Sequence, residues 1–216
     1  EIAQCLVGSE MCIRDRYPEK QTQWSKKAGK TFIGSAARYL NTYSYVLTKM
    51  MYENLRKQSD NRASVLTRSA FAGQQRFGTS IWSGDIYASW DVLKKQLVAG
   101  LNICMTGIPY WTTDIGGFRV RSRENSGEGT GEIGTEIHRN ISSCDGGYAK
   151  GLKDSAYLEL YTRWFQYGAL SPIFRAHGTE VPREIWHFGE PGSLFYDIQV
   201  EMIHLRYSLL SYIYSE

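Results

Sequence analysis

The chain has 216 residues, 42% of them hydrophobic, enough for one ordinary domain or two small ones, which excludes a mostly disordered or low-complexity polypeptide. Lys and Arg number 25 against 22 Asp and Glu, and a net charge of +3 so evenly spread excludes the basic footprint of a nucleic-acid binder. No apolar run reaches the roughly 20 residues that a membrane-spanning helix needs, and the N-terminus lacks the order of a signal peptide.

Residues 1–16 fit no helical or strand period. From Cys5 to Arg16 they resemble a translated sequencing adapter, so the segment is expected to be non-native and the domain to occupy residues 17–216. Residues 17–34 are polar and read as a loop. Over 36–58 the residues Tyr39, Leu40, Tyr43, Val46, Leu47, Met50, Met51 and Leu55 recur every three or four positions, which predicts one amphipathic helix. Residues 63–67 and 79–82 are short strand-like runs. Trp90, Leu93, Leu97, Val98 and Leu101 mark a second helix, stopped near Gly100. Residues 108–113 form a third strand-like run. Residues 119–153 are Gly-rich, charged and aperiodic, a long insertion of the kind that is usually functional. Tyr157, Leu160, Tyr161, Trp164 and Phe165 predict a helix over 154–166, residues 171–176 a fourth strand, and Ile198, Met202, Leu205, Leu209 and Ile213 a last helix. This alternation of helices and strands predicts an α/β fold with a parallel sheet.

The chemistry gathers where the strand-like runs end: Thr67-Arg68-Ser69, Trp82-Ser83-Gly84-Asp85, Trp111-Thr112-Thr113-Asp114-Ile115-Gly116-Gly117-Phe118 and Phe174-Arg175-Ala176-His177-Gly178. In β/α barrels such ends build one pocket. Asp85, beside the Trp82 indole, suits a general acid, because an apolar wall raises a carboxyl pKa. It could equally cap a helix that begins near Ala88. Asp114 before two glycines could bind ligand or simply form a turn. Arg68 could hold a hydroxyl or carboxylate through its planar fork, or serve a structural ion pair. His177 could bind a hydroxyl or be a satisfied interior group. The other histidines, His138, His187 and His204, lack such company. Fifteen Tyr and six Trp, several beside Gly, Asp and His, suit a sugar-binding cleft. The four Cys form no CxxC pair and have no His at ligand spacing, so neither a zinc site nor a disulfide framework is indicated.

Taken together with Gly73-Gln74-Gln75-Arg76-Phe77-Gly78 and Leu160-Tyr161-Thr162-Arg163-Trp164-Phe165-Gln166, these motifs resemble, in order, the later barrel half of glycoside hydrolase family 31, nearest in wording to α-xylosidases and then α-glucosidases. The resemblance implies a partial (β/α)8 TIM barrel, strands 5–8 with their helices, and a retaining exo-α-glycosidase acting on oligosaccharides without metal or organic cofactor. It implies that Asp85 is the acid/base carboxyl, that Arg68, Trp82, Phe118 and His177 line the subsite for the non-reducing-end sugar, and that Asp114 lies beside it. Residues 119–153 would be an insertion after the seventh strand. Retaining chemistry also needs a nucleophilic carboxylate, which the family carries in an Asp-x-x-Glu-Pro-like context on an earlier strand. No such motif occurs here, so the chain is expected to lack the nucleophile, the first barrel half and the accessory β domains. Transglycosylase and non-catalytic carbohydrate-binding variants remain open at this point.

Overall fold

The computed structural model describes residues 26–27, 29–39, 42–121 and 147–215. The segment 1–16, most of the 119–153 insertion and His138 therefore lie outside the described residues. The described residues divide into two compact units. One holds those up to Gly84 together with Cys104–Trp111, the other Asp85–Ile103 and those from Thr112 onward.

In the first unit, part of the expected opening loop is a two-residue antiparallel pair, β1 (Lys30–Thr31) with β2 (Gly34–Ser35), closed by the Thr31 hydroxyl donating to the Gly34 carbonyl at 2.9 Å. The single helix expected over 36–58 is two, α1 (Ala36–Tyr39) and α2 (Tyr43–Gln58). The Thr42 hydroxyl takes the Tyr39 carbonyl at 2.7 Å, a local bond that competes with continuing the helix. Apolar periodicity reports a face, not continuity, and even the face differs. The buried residues of α2 are Ser44 and Thr48, whereas Val46 and Met50 are 44% and 54% exposed. Small hydroxyl side chains lie where the helix meets Gln74, to whose Oε1 the Ser44 hydroxyl donates at 2.9 Å, and Tyr45 and Tyr52 pack on the Phe77 ring. Strands β3 (Val65–Thr67) and β4 (Thr79–Trp82) pair in parallel in the register Val65↔Thr79, Leu66↔Ser80, Thr67↔Ile81. Parallel partners need a crossover, supplied here by the segment that contains the 3-10 turn Gln74–Phe77. The sheet order is β3-β4-β5, and the Ile81 amide donates to the Tyr110 carbonyl at 2.9 Å as the chain enters β5 (Trp111–Thr112).

The core of the second unit is organised by α4 (Ser155–Ala169), which follows α3 (Trp90–Met105) in the chain. Asp154 caps α4, its carboxylate accepting from the Ala156 amide at 3.1 Å. Tyr157, Leu160, Tyr161, Trp164 and Phe165 fall on one stripe and are buried among Val92, Leu93, Ile115, Val120 and Phe188. Each such side chain contributes about 1.5 to 3 kcal/mol by leaving water. α5 (Leu194–Ser208) packs on α4, and the last expected helix breaks at Leu209 before α6 (Leu210–Ser215).

The expected strand over 171–176 is not one. Pro172 has no amide hydrogen for a ladder, and the Arg206 guanidinium takes the carbonyls of Ala169, Ser171 and Pro172 that a neighbour would need. The run expected over 108–113 likewise shrinks to β5 beyond Pro109. The described residues thus hold a three-stranded sheet flanked in sequence by helices, and no closed barrel.

Candidate active site

In the first unit, Arg68 follows β3 and is buried, and Trp82, half-buried, ends β4. Gly84 has φ +83°, and a Cβ there would fall on the Arg68 guanidinium, so this position needs glycine for both conformation and space. Gln74, almost fully buried, fastens the turn after β3: its Nε2 donates to the Ser69 carbonyl at 3.0 Å while its Oε1 accepts from the Phe71 amide at 3.0 Å. The sequence alone gives Gln74 no role, because a neutral glutamine carries no charge signal that marks it for burial.

The second unit holds Asp85, Asp114, Phe118 and His177. Asp114 does form the expected turn, through its backbone: its carbonyl accepts from the Gly117 amide at 2.9 Å, with Gly116 and Gly117 at φ +81° and +80°. A Cβ at Gly117 would run into the backbone of Ala88, which leaves that residue no alternative. The side chain of Asp114 does something further. It is 0% exposed, its Oδ1 accepts from Arg175 Nη1 at 2.5 Å, and its Oδ2 is buried without a hydrogen-bond partner among the described residues. Burial pushes its pKa up to about 6; the Arg175 ion pair opposes the rise and the Asp85 charge adds to it. Asp114 is thus a carboxyl that burial lifts, a property its place before two glycines does not announce. The group capping α3 is not Asp85: the Ser89 hydroxyl accepts from the Val92 amide at 3.2 Å.

His177 lies over Phe118, ring centroids 5.7 Å apart and tilted by 32°, and the Thr179 amide donates to the Phe118 carbonyl at 2.9 Å. Burial, then the charges of Arg175 and Arg183, hold the imidazole below the usual histidine range against the pull of Asp85. At neutral pH it is therefore a neutral donor and acceptor. Sequence reasoning assigned nothing to Arg175 or Arg183. For Arg175 a signal existed: it stands two positions before His177 in the same polar motif. For Arg183 there was none, since its partners Tyr157 and Gly117 lie 26 and 66 residues away in the chain.

The second unit thus presents a buried carboxyl with one unpaired oxygen, a second carboxyl within electrostatic range, a neutral imidazole and an aromatic face. Such a set binds vicinal hydroxyls and moves protons near neutral pH. Among the described residues no group of three or more His, Cys, Asp or Glu is disposed to hold a metal.

Comparison with known proteins gives one answer. Residues 8–216 match the model of the glycosyl hydrolases family 31 TIM-barrel domain, a match that begins inside the segment expected to be non-native. An α-xylosidase of Saccharolobus solfataricus is 40% identical over 183 residues, 85% of this chain and 21% of that protein. The crystal structure of a family 31 α-xylosidase from Xanthomonas citri superposes with a TM-score of 0.72 at 36% identity, covering 90% of this chain and 19% of its own. A Flavobacterium johnsoniae family 31 dextranase complexed with glucose gives 0.64 at 31% identity over 86% of this chain and 20% of its own. The chain spans about a fifth of the length of these relatives. With residues 8–216 of the chain matched by the family model and these motifs in order, the chain belongs to glycosyl hydrolase family 31, within the TIM-barrel domain.

Proposed function

We propose that this chain is part of a retaining, exo-acting α-glycosidase that releases terminal α-linked xylose, or glucose, from oligosaccharides. The observation that carries the reading is Asp114: a fully buried carboxyl, clamped on one oxygen by Arg175 and open on the other, is built to receive a hydroxyl that none of the described residues supplies. Asp85 acts as acid and base. It gives its proton to the departing sugar oxygen and later takes one from the attacking water. In the second unit Asp114, Phe118 and His177 bind the non-reducing-end sugar, the carboxyl and imidazole on its hydroxyls and the ring on an apolar face; in the first unit Arg68 and Trp82 are assigned to sugar binding by the family resemblance of their motifs.

Double displacement needs a nucleophilic carboxylate about 5 to 5.5 Å from the acid/base group. We assign it to a part of the enzyme outside these 216 residues, together with the remaining barrel strands and accessory β domains, in keeping with relatives of which this chain covers 21% and 19%. Residues 17–216 are then the later barrel half, with 119–153 an insertion after the seventh strand. The 216-residue chain alone should hydrolyse no glycoside. Xylose is favoured over glucose by the α-xylosidase relatives. The test is to assay this chain and the longer enzyme side by side on an aryl α-xyloside and an aryl α-glucoside. Turnover of the xyloside by the longer enzyme alone is expected. Asp85-dependent turnover by the 216-residue chain would overturn the assignment of the nucleophile, a preference for the glucoside would make the enzyme an α-glucosidase, and sugar binding without turnover would make it a carbohydrate-binding homologue.

A further inference from the structure

One buried cation of the second unit has no role in the scheme above. Arg183 is 9% exposed, and its guanidinium bonds run to a phenol and to backbone carbonyls. Nη1 donates to Tyr157 Oη, and Nη2 donates to the carbonyl of Gly117 at 2.7 Å, with longer contacts to those of Phe118 at 3.4 Å and Thr179 at 3.5 Å. Its own carbonyl accepts from Tyr161 Oη at 2.9 Å. Tyr157 and Tyr161 are core residues of α4, so the cation is anchored to the most firmly packed helix of the unit and reaches from it to two turns at once. Those turns carry Asp114 and Phe118 on one side and His177 on the other. Two glycines make room for it: a Cβ at Gly116 or at Gly178 would meet the guanidinium. A planar fork serves acceptors in several directions at fixed angles, which a lysine ammonium cannot do.

We propose that Arg183 is a positioning residue, clamping the Gly117–Phe118 turn to the His177–Thr179 turn and so setting the spacing of the Phe118–His177 ring pair against which the sugar sits. That the ring pair meets a sugar rests on the glycosidase reading; the clamp itself does not. The charges facing His177 are Arg175, Arg183 and Asp85, and those facing Asp114 are Arg175, Asp85 and Arg183, so loss of the Arg183 charge should raise both pKa values. Lysine separates charge from geometry: it keeps the first and loses the fork.

The test uses the 216-residue chain and the NMR signals of the His177 ring, assigned with His177→Gln. Phe118→Leu defines the ring-current shift that Phe118 imposes on those protons. Arg183→Lys is expected to lose most of that shift while His177 still titrates below the ordinary histidine range. Arg183→Met is expected to lose the shift and to titrate higher. Retention of the full ring-current shift in Arg183→Lys overturns the clamp, including the case in which only the urea midpoint falls. Should Arg183→Lys not fold, Tyr157→Phe, which removes a single acceptor oxygen, carries the test: a smaller loss in the same direction supports the proposal and none overturns it. In the longer enzyme the clamp predicts that Arg183→Lys raises KM more than it lowers kcat. Absence of turnover by the unmutated longer enzyme would defeat the glycosidase reading and leave the ring-shift result standing.

Discussion

Replacing Asp114 by Asn tests the electrostatics of the site on the isolated chain. Burial holds the Asp114 carboxyl at about 6, against 3.8 for an unburied aspartate. In the unfolded chain the group loses its proton near the lower value and in the folded chain near the higher. Between the two, the folded state binds more protons, so raising the pH costs stability there. The stabilisation is fully present below about pH 4 and is lost as the pH rises through about 6. A shift of about two units at about 1.4 kcal/mol each makes the loss about 3 kcal/mol, with no discount for solvent because the side chain is wholly buried. Asn has the same shape and no proton to lose. The unfolding free energy of the unsubstituted chain minus that of Asp114→Asn should therefore fall by about 3 kcal/mol between pH 3.5 and 7.5 and be flat beyond. His177 is common to both chains, so its contribution largely cancels. Urea unfolding followed by far-UV circular dichroism at half-unit pH steps measures the difference. A flat difference would mean that the Arg175 ion pair offsets burial, and one that rises with pH that it outweighs burial; either makes Asp114 an ordinary ionised partner and refutes the argument.

Asp85→Ala in the longer enzyme should lower kcat/KM on natural α-glycosides by about 100- to 10,000-fold while sparing aryl glycosides with good leaving groups, and azide should restore part of the rate by attacking the intermediate without base assistance; unchanged activity on the natural substrate would remove Asp85 from the acid/base role. Gly117→Ala, forced into a left-handed conformation with its methyl group against the Ala88 backbone, should cost about 2 kcal/mol or more and shift the thermal midpoint down by several degrees. Trp164→Phe removes the indole N–H that donates to Thr113 Oγ1 at 2.7 Å and leaves a small void in the core, so its urea midpoint should fall by the equivalent of about 2 to 4 kcal/mol.

Much of this protein could be read without coordinates. The period of α4 is long and regular and coincides with its buried stripe, whereas of the five residues that marked α3 only Leu93 is buried. The left-handed turn after Asp114 was equally legible, because a pair of glycines is a short-range signature. What failed to show was whatever depends on a partner far along the chain. The run at 171–176 reads as a strand until Arg206, more than thirty residues on, takes its carbonyls. The buried face of α2 is polar because Gln74, thirty residues away, needs the Ser44 hydroxyl. Asp114 becomes a high-pKa carboxyl only because folding removes it from water beside Arg175, sixty-one residues downstream. Arg183 carries no signal in the chain and is buried only because α4, Gly117 and Thr179 meet around it. Backbone period is a property of neighbours in sequence, whereas desolvation and hydrogen-bond pairing are properties of neighbours in space.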